Sequence, residues 1–181
     1  MRKNTLALFV LLSAFTQHLS AQIPGKATIV HATEINSAGQ AGKGKAVADS
    51  VLKVVSIDKK CHVGVSVVSR SKINDKTPAD AIVHDVVTEV YHIVEGNGIL
   101  IVGGTLDSSV RIPHSSSIVQ KITGPSSIGK QITGGTRYEV GPGDIVVIPP
   151  NTPHGFVELK TNAIVYTLIR IDPEKVLALT D

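Results

Sequence analysis

Tryptophan is absent from this 181-residue chain, tyrosine and phenylalanine together make up only 3% of it, and cysteine occurs once, at Cys61. A single cysteine excludes an intramolecular disulfide, so stability has to come from an apolar core. Within Cys61-His62-Val63-Gly64-Val65 the thiol reads as a small hydrophobe in a strand, and His62 beside it points to the opposite face. No stretch of lysine and arginine is interleaved with aromatics, which argues against a nucleic-acid surface. No segment beyond the N-terminus is apolar for long enough to span a bilayer. Gly124-Pro125-Ser126-Ser127 lacks the lysine and following helix of a phosphate loop, and no nucleophile elbow or Ser-His-Asp order is visible. There is no internal repeat.

What the chain does have is aliphatic and turn-forming. Its 42% hydrophobic content is carried by Val, Ile, Leu and Ala, punctuated by 16 Gly and 9 Pro, a mix that favours strands and turns. Arg2 and Lys3, the apolar run Leu6 to Phe15 and the small residues before Gln22 read as an export signal over residues 1–21. Its removal lowers the formal net charge from +3 to +1, so the apparent basicity implies no acidic partner. The expected product is periplasmic or extracellular, with no membrane attachment after cleavage. Residues 22–50 form an N-terminal arm, with a loop or weak helix over Glu34 to Ala48, and residues 51–181 form one domain.

That domain is written in short β-branched runs: Val51–Ile57, His62–Ser69, Thr88–Val94, Ile99–Val102, Ser117–Ile122, Ile128–Ile132, Tyr138–Val140, Ile145–Ile148, Gly155–Leu159 and Ala163–Ile171. Between them stand Glu95-Gly96-Asn97-Gly98, Gly103-Gly104, Gly134-Gly135 and Gly141-Pro142-Gly143-Asp144, all strong turn signals. Many short strands predict an all-β sandwich or barrel. Asp172-Pro173 offers an N-cap and a first-turn proline, predicting a short C-terminal helix over Pro173 to Leu179.

Two segments place polar, metal-capable side chains inside apolar strand text. One runs from His84 through Glu89, Tyr91 and His92 to the Gly96-Asn97-Gly98 turn; the other runs from Gly141 through Asp144, Ile148-Pro149 and His154 to Phe156. Together they resemble the paired motifs of the cupin family: a histidine, a glutamate and an aromatic-containing strand, then a Gly-Asp turn, an Ile-Pro strand end and a histidine two positions before an aromatic. The resemblance implies a double-stranded β-helix, or jelly-roll barrel, from about Val51 to Ile171, and a homodimer. It also implies a metal site whose ligands fall on His84, Glu89 and His154, with Ile82 at the position of a further histidine. The stretch between Gly104 and Gly141 is longer than the minimal connection in such proteins. This insertion, around residues 105–137, is expected to add a hairpin or lid.

Strand alternation bears on the same residues. Glu89, Tyr91 and Ile93 share a face while His92 points away. His84 and Glu89 are five apart, so they can meet only across a bend near Asp85–Thr88. Two imidazoles and one carboxylate suit Fe, Mn, Zn or Ni and leave coordination positions open. Ile82, Tyr91, Ile93 and Phe156 are expected to line the pocket. The alternative is that Glu89 pairs with a nearby cation and the histidines are satisfied core residues. His31 and His114 are expected at the surface. The functional expectations are a barrel that binds a divalent metal and a small molecule; a metal-dependent dioxygenase, isomerase or lyase acting on a small polar substrate; or a metal-free, non-catalytic ligand-binding barrel.

Overall fold

The computed structural model describes residues 27–77 and 80–180; the export signal expected over residues 1–21 lies outside them. The described chain begins with helix α1 (Ala32–Gly42) and continues with β1 (Val47–Ile57), β2 (Cys61–Ser71), β3 (Ala81–His84), β4 (Thr88–Glu95), β5 (Gly98–Val102), β6 (Thr105–Asp107) and β7 (Val110–Arg111). A π-helical turn at Val119–Thr123 precedes β8 (Ser126–Gly129), β9 (Gln131–Thr133), β10 (Thr136–Val140), β11 (Ile145–Ile148), β12 (His154–Leu159) and β13 (Ala163–Asp172). One sheet has the order β1-β2-β13-β4-β11, the other β10-β5-β12-β3-β8-β7, and β6 and β9 form a separate ribbon. Every ladder is antiparallel.

Alternation builds the core between the sheets. Tyr91 and Ile93 from β4, Tyr166 and Leu168 from β13, and Leu100 and Phe156 from β5 and β12 are each at most 3% exposed and pack as one cluster. His92, between the buried Tyr91 and Ile93, is exposed, as strand parity requires. The β4–β5 hairpin turns at Gly96, whose φ of +80° suits glycine. A side chain there would also run into the Ala163 carbonyl at 2.1 Å. Helix α1 occupies the part of the arm expected to be a loop or weak helix. It packs on β2 through Gly39 and Gly42, where a Cβ on Gly42 would meet that of Ser69 at 2.7 Å. No helix among the described residues is long and apolar enough to cross a membrane.

Three expectations need correction. The run Ser117–Ile122 is not a strand: Ile118 and Ile122, four apart, turn the same way in a helical turn and both line the main cavity. Ala81–His84, absent from the expected strands, is β3 and pairs with β8 of the insertion. The insertion thus adds β7 and β8 to the six-stranded sheet, while its β6 and β9 pair in the separate two-stranded ribbon.

The third correction concerns the C-terminus, where Pro173 to Leu179 is not a helix. Lys175 has a φ of +59°, which a right-handed helix cannot contain. The Asp172 carboxylate reaches five residues on, accepting the Leu177 N–H at 2.8 Å. Ala178 N–H donates to Gln120 O at 3.0 Å and Thr180 N–H to Val54 O at 3.1 Å. The tail's backbone is thus satisfied by neighbouring elements, and with Leu177 only 2% exposed it straps the insertion to β1. Leu177→Ala is expected to cost roughly 2–3 kcal/mol, the low end for a buried leucine because a tail can partly settle into the space. Chemical denaturation would measure it, and a loss below about 0.5 kcal/mol would show that the strap does not hold the barrel.

Candidate metal centre

Glu89 stands on β4 between Arg170 of β13 and Ile148 of β11 in the ladder register. His84 ends β3 and His154 begins β12, and the chain bends at Asp85–Val87 before β4 starts. That bend brings His84 and Glu89 together despite their odd spacing. His84 Nε2 lies 3.3 Å from Glu89 Oε1 and His154 Nε2 lies 3.2 Å from Glu89 Oε2. One ligand atom from each of the three residues falls within 4.8 Å of the others, and all three side chains are buried.

The hydrogen-bond partners decide which ring nitrogens face inward. Thr152 O can only accept, and it lies 2.9 Å from His154 Nδ1, so that nitrogen carries a proton. His154 Nε2 makes no hydrogen bond although it is fully buried. His84 Nδ1 lies 2.8 Å from Ser126 Oγ. The Ser126 hydroxyl proton is directed at Gly124 O (2.9 Å) or Thr123 O (3.2 Å), so its oxygen is left to accept from His84 Nδ1–H. When neutral, both imidazoles therefore aim Nε2 lone pairs at an ionised carboxylate. Lone pairs facing lone pairs in a buried site call for a cation between them, and the donor set suits a divalent metal. These residues fit such an ion. Ser126→Ala would free His84 Nδ1 from its anchor, and a 10- to 100-fold loss of metal affinity is expected; unchanged affinity in a chelator competition would rule out this anchoring role.

The cation foreseen as an alternative partner for Glu89 is also present. Arg170 Nε donates to Glu89 Oε1 at 3.0 Å, Nη1 donates to Ser66 Oγ at 2.9 Å, and Nη2 meets Asp49 Oδ2 at 2.5 Å. The Tyr91 hydroxyl donates to Glu89 Oε2 at 2.9 Å. Burial alone pushes the Glu89 carboxyl up, but its contacts with His84, Arg170 and His154 outweigh this and hold the group well below its usual range. Burial and the Glu89 charge push the Tyr91 phenol well up, keeping it a hydrogen-bond donor. Arg170 loses hydration by burial, yet Asp49 and Glu89 more than offset this and raise its pKa. Because Arg170 is shared with Asp49, the core Asp49-Arg170-Glu89 carries a net charge of −1 when the imidazoles are neutral, which leaves room for a further positive charge.

A cavity of about 390 Å³ opens beside this cluster. Ile82 and Tyr91 line it, as expected, and Ile82 stands opposite His154 in the β3–β12 register. The place of a further histidine is thus on the wall but aliphatic. Ile93 and Phe156 do not line it: both belong to the core cluster, and Phe156 borders a separate, smaller cavity. His31 and His114 are exposed, and His62 is engaged with Leu177 O at 2.9 Å, away from the cluster. Arg170, Asp49 and Ser126 were not foreseen as site residues. An arginine set among Leu168, Ile169 and Ile171, on the same face as Tyr166 and Leu168, was the available signal.

With this architecture and the two motifs in place, the chain is a cupin-type barrel. Residues 129–181, under a third of the chain, match the family of AraC-like ligand binding domains. No curated protein matches the sequence. Among solved structures, the BH2720 protein of Bacillus halodurans is similar over 83% of this chain and 86% of its own, with 14% identity and a TM-score of 0.50. KdgF from a Halomonas species shares 14% identity over 72% of this chain and 81% of its own, with a TM-score of 0.42. An oxalate oxidase, solved with the substrate analogue glycolate, shares 17% identity over 76% of this chain and 56% of its own, with a TM-score of 0.45. At 14% identity the likeness to the Bacillus halodurans protein is one of fold alone.

Proposed function

We propose that this protein binds a divalent metal through His84, Glu89 and His154 and holds a small molecule in the adjoining cavity. The observation that carries the proposal is the buried His154 Nε2, fixed by its Nδ1–H bond to Thr152 O, without a hydrogen-bond partner and aimed at an ionised carboxylate. A bound ion there would supply Lewis acidity and, with only three protein ligands, open positions for a substrate oxygen or water. The chain's own residues do the rest. Tyr91 and Arg170 keep Glu89 ionised and oriented, and Ser126 and Thr152 fix the two imidazoles.

Cobalt(II) titration of purified protein tests the metal: visible absorption that saturates at about one ion per chain is expected, and no uptake at micromolar metal would overturn the proposal. Open coordination supports a metal-dependent dioxygenase, isomerase or lyase as the catalytic version. The match to ligand-binding domains over residues 129–181 instead favours binding without turnover, since that segment supplies His154 and three of the residues that line the cavity, Tyr166, Leu168 and Arg170. Export is part of the proposal and rests on residues 1–21; a mature N-terminus at Gln22 is the expected result. A homodimer completes it, supported by Ile145 and Val147, which are 66% and 61% exposed on edge strand β11.

A further inference from the structure

The cavity wall says more about the ligand than the metal cluster does. Four isoleucines from the insertion, Ile112, Ile118, Ile122 and Ile128, join Ile82 of β3 along one side. Ile118 and Ile128 are each 46% exposed. The same cavity is also lined by charged groups: Glu89 and Asp49 with Arg170, and Asp80 paired with Arg70 at 2.8 Å. Neutral imidazoles leave that set at −1, and a divalent ion turns it to +1. The volume of about 390 Å³ equals roughly a dozen waters at ~30 Å³ each.

From this wall, and resting on the metal reading above, we infer that the cavity selects a small monoanion with a compact aliphatic or alicyclic body. Its carboxylate lies beside His84 and Glu89, which line the cavity, and its hydrocarbon against the isoleucines. Three properties of the pocket decide the class. One negative charge balances the metal-loaded set, whereas a dianion overshoots it and a neutral ligand leaves it uncompensated in a poorly solvated site. A polyhydroxylated body would set hydroxyls against isoleucine side chains, which offer no hydrogen bonds. The size admits about a dozen non-hydrogen atoms, enough for a branched or cyclic acid and small for an oligosaccharide. The small polar substrate expected from sequence is thereby narrowed to one that is polar at one end. The wall responsible is supplied chiefly by the insertion, whose β8 also carries the Ser126 anchor of His84.

Calorimetry on the metal-loaded full chain tests the inference with three probes: cyclohexanecarboxylate, gluconate as a polar monoanion, and succinate as a dianion. Metal content is measured separately by elemental analysis. Cyclohexanecarboxylate is expected to bind at least tenfold more tightly than either of the others. Ile118→Asn and Ile128→Asn, at half-exposed positions where folding tolerates change, are each expected to weaken it by about tenfold while leaving metal content and melting temperature unaltered. Stoichiometric metal with gluconate or succinate binding as tightly, or with the asparagine variants unaffected, overturns the inference and leaves the metal reading standing. Failure to take up metal overturns the metal reading and, with it, the anionic end of the inference.

Discussion

His154→Ala is expected to reduce bound divalent metal from about one ion per chain to background, and Glu89→Gln to weaken it by at least a hundredfold. The two changes act differently. Alanine at 154 removes a nitrogen already held in its metal-binding tautomer by Thr152 O, so no remaining group can replace it. Glutamine at 89 preserves volume but removes the charge, and it leaves Arg170 with only Asp49 as an acidic partner. Elemental analysis after metal loading, beside circular dichroism to confirm folding, gives the answer. If both folded variants keep the metal content of the parent, His84, Glu89 and His154 are not the ligands. His92→Ala is the control: its ring is exposed on the outer side of β4, and metal content is expected to stay at the parental value.

The barrel was legible because its information is local. Alternation put Tyr91 and Ile93 inside and His92 outside, and Gly96-Asn97 marked a hairpin that the structure closes with a positive φ at Gly96. The insertion was less legible, since Ile118 and Ile122 satisfy a helical spacing while their β-branched composition suggests a strand. The C-terminal helix failed for a different reason. Asp172-Pro173 is a sound helix start, but the tail's amides are satisfied by Gln120 and Val54, which are distant in sequence. Tertiary partners overrode a local signal, and nothing within residues 172–179 reports on those partners.

The same division runs through the site. His84, Glu89 and His154 could be picked out because each is a metal-capable residue in apolar text at a motif position, and the structure gathers them within 4.8 Å. Phe156 could not be placed correctly from its motif neighbour alone. It lies two residues past His154, on the same side of β12, but its distance along the strand carries it into the core, below Tyr166 at a centroid separation of 5.9 Å. Arg170 and Asp49 were invisible as a pair because they stand 121 positions apart and meet only after β1 and β13 flank β2. The two partners proposed for Glu89, a metal and a protein cation, do not exclude each other: Arg170 donates to Oε1 from β13, while His84 and His154 approach the carboxylate from β3 and β12.

That coexistence makes Arg170 the residue whose loss should cost most in folding. Arg170→Met keeps the length of the side chain but leaves Glu89, 2% exposed, and Asp49 without the guanidinium that bridges them. Removing one member of a buried ion pair costs about 3–5 kcal/mol, and for a chain of this size each kcal/mol lowers the melting temperature by roughly 2–4 °C. A drop of about 6–20 °C is therefore expected in metal-free protein. A bound divalent ion would compensate Glu89 directly, so metal should raise the melting temperature of the variant by more than that of the parent, because the ion then answers a charge that Arg170 otherwise shares. The double variant Arg170→Met with Glu89→Gln should be less destabilised than the sum of the two single changes, since the second removes the charge that the first strands. Differential scanning calorimetry with and without metal measures all three effects. Equal melting temperatures for Arg170→Met and parent would mean that water, and not Arg170, solvates Glu89, and the buried Asp49-Arg170-Glu89 arrangement would have to be given up as the support of the site.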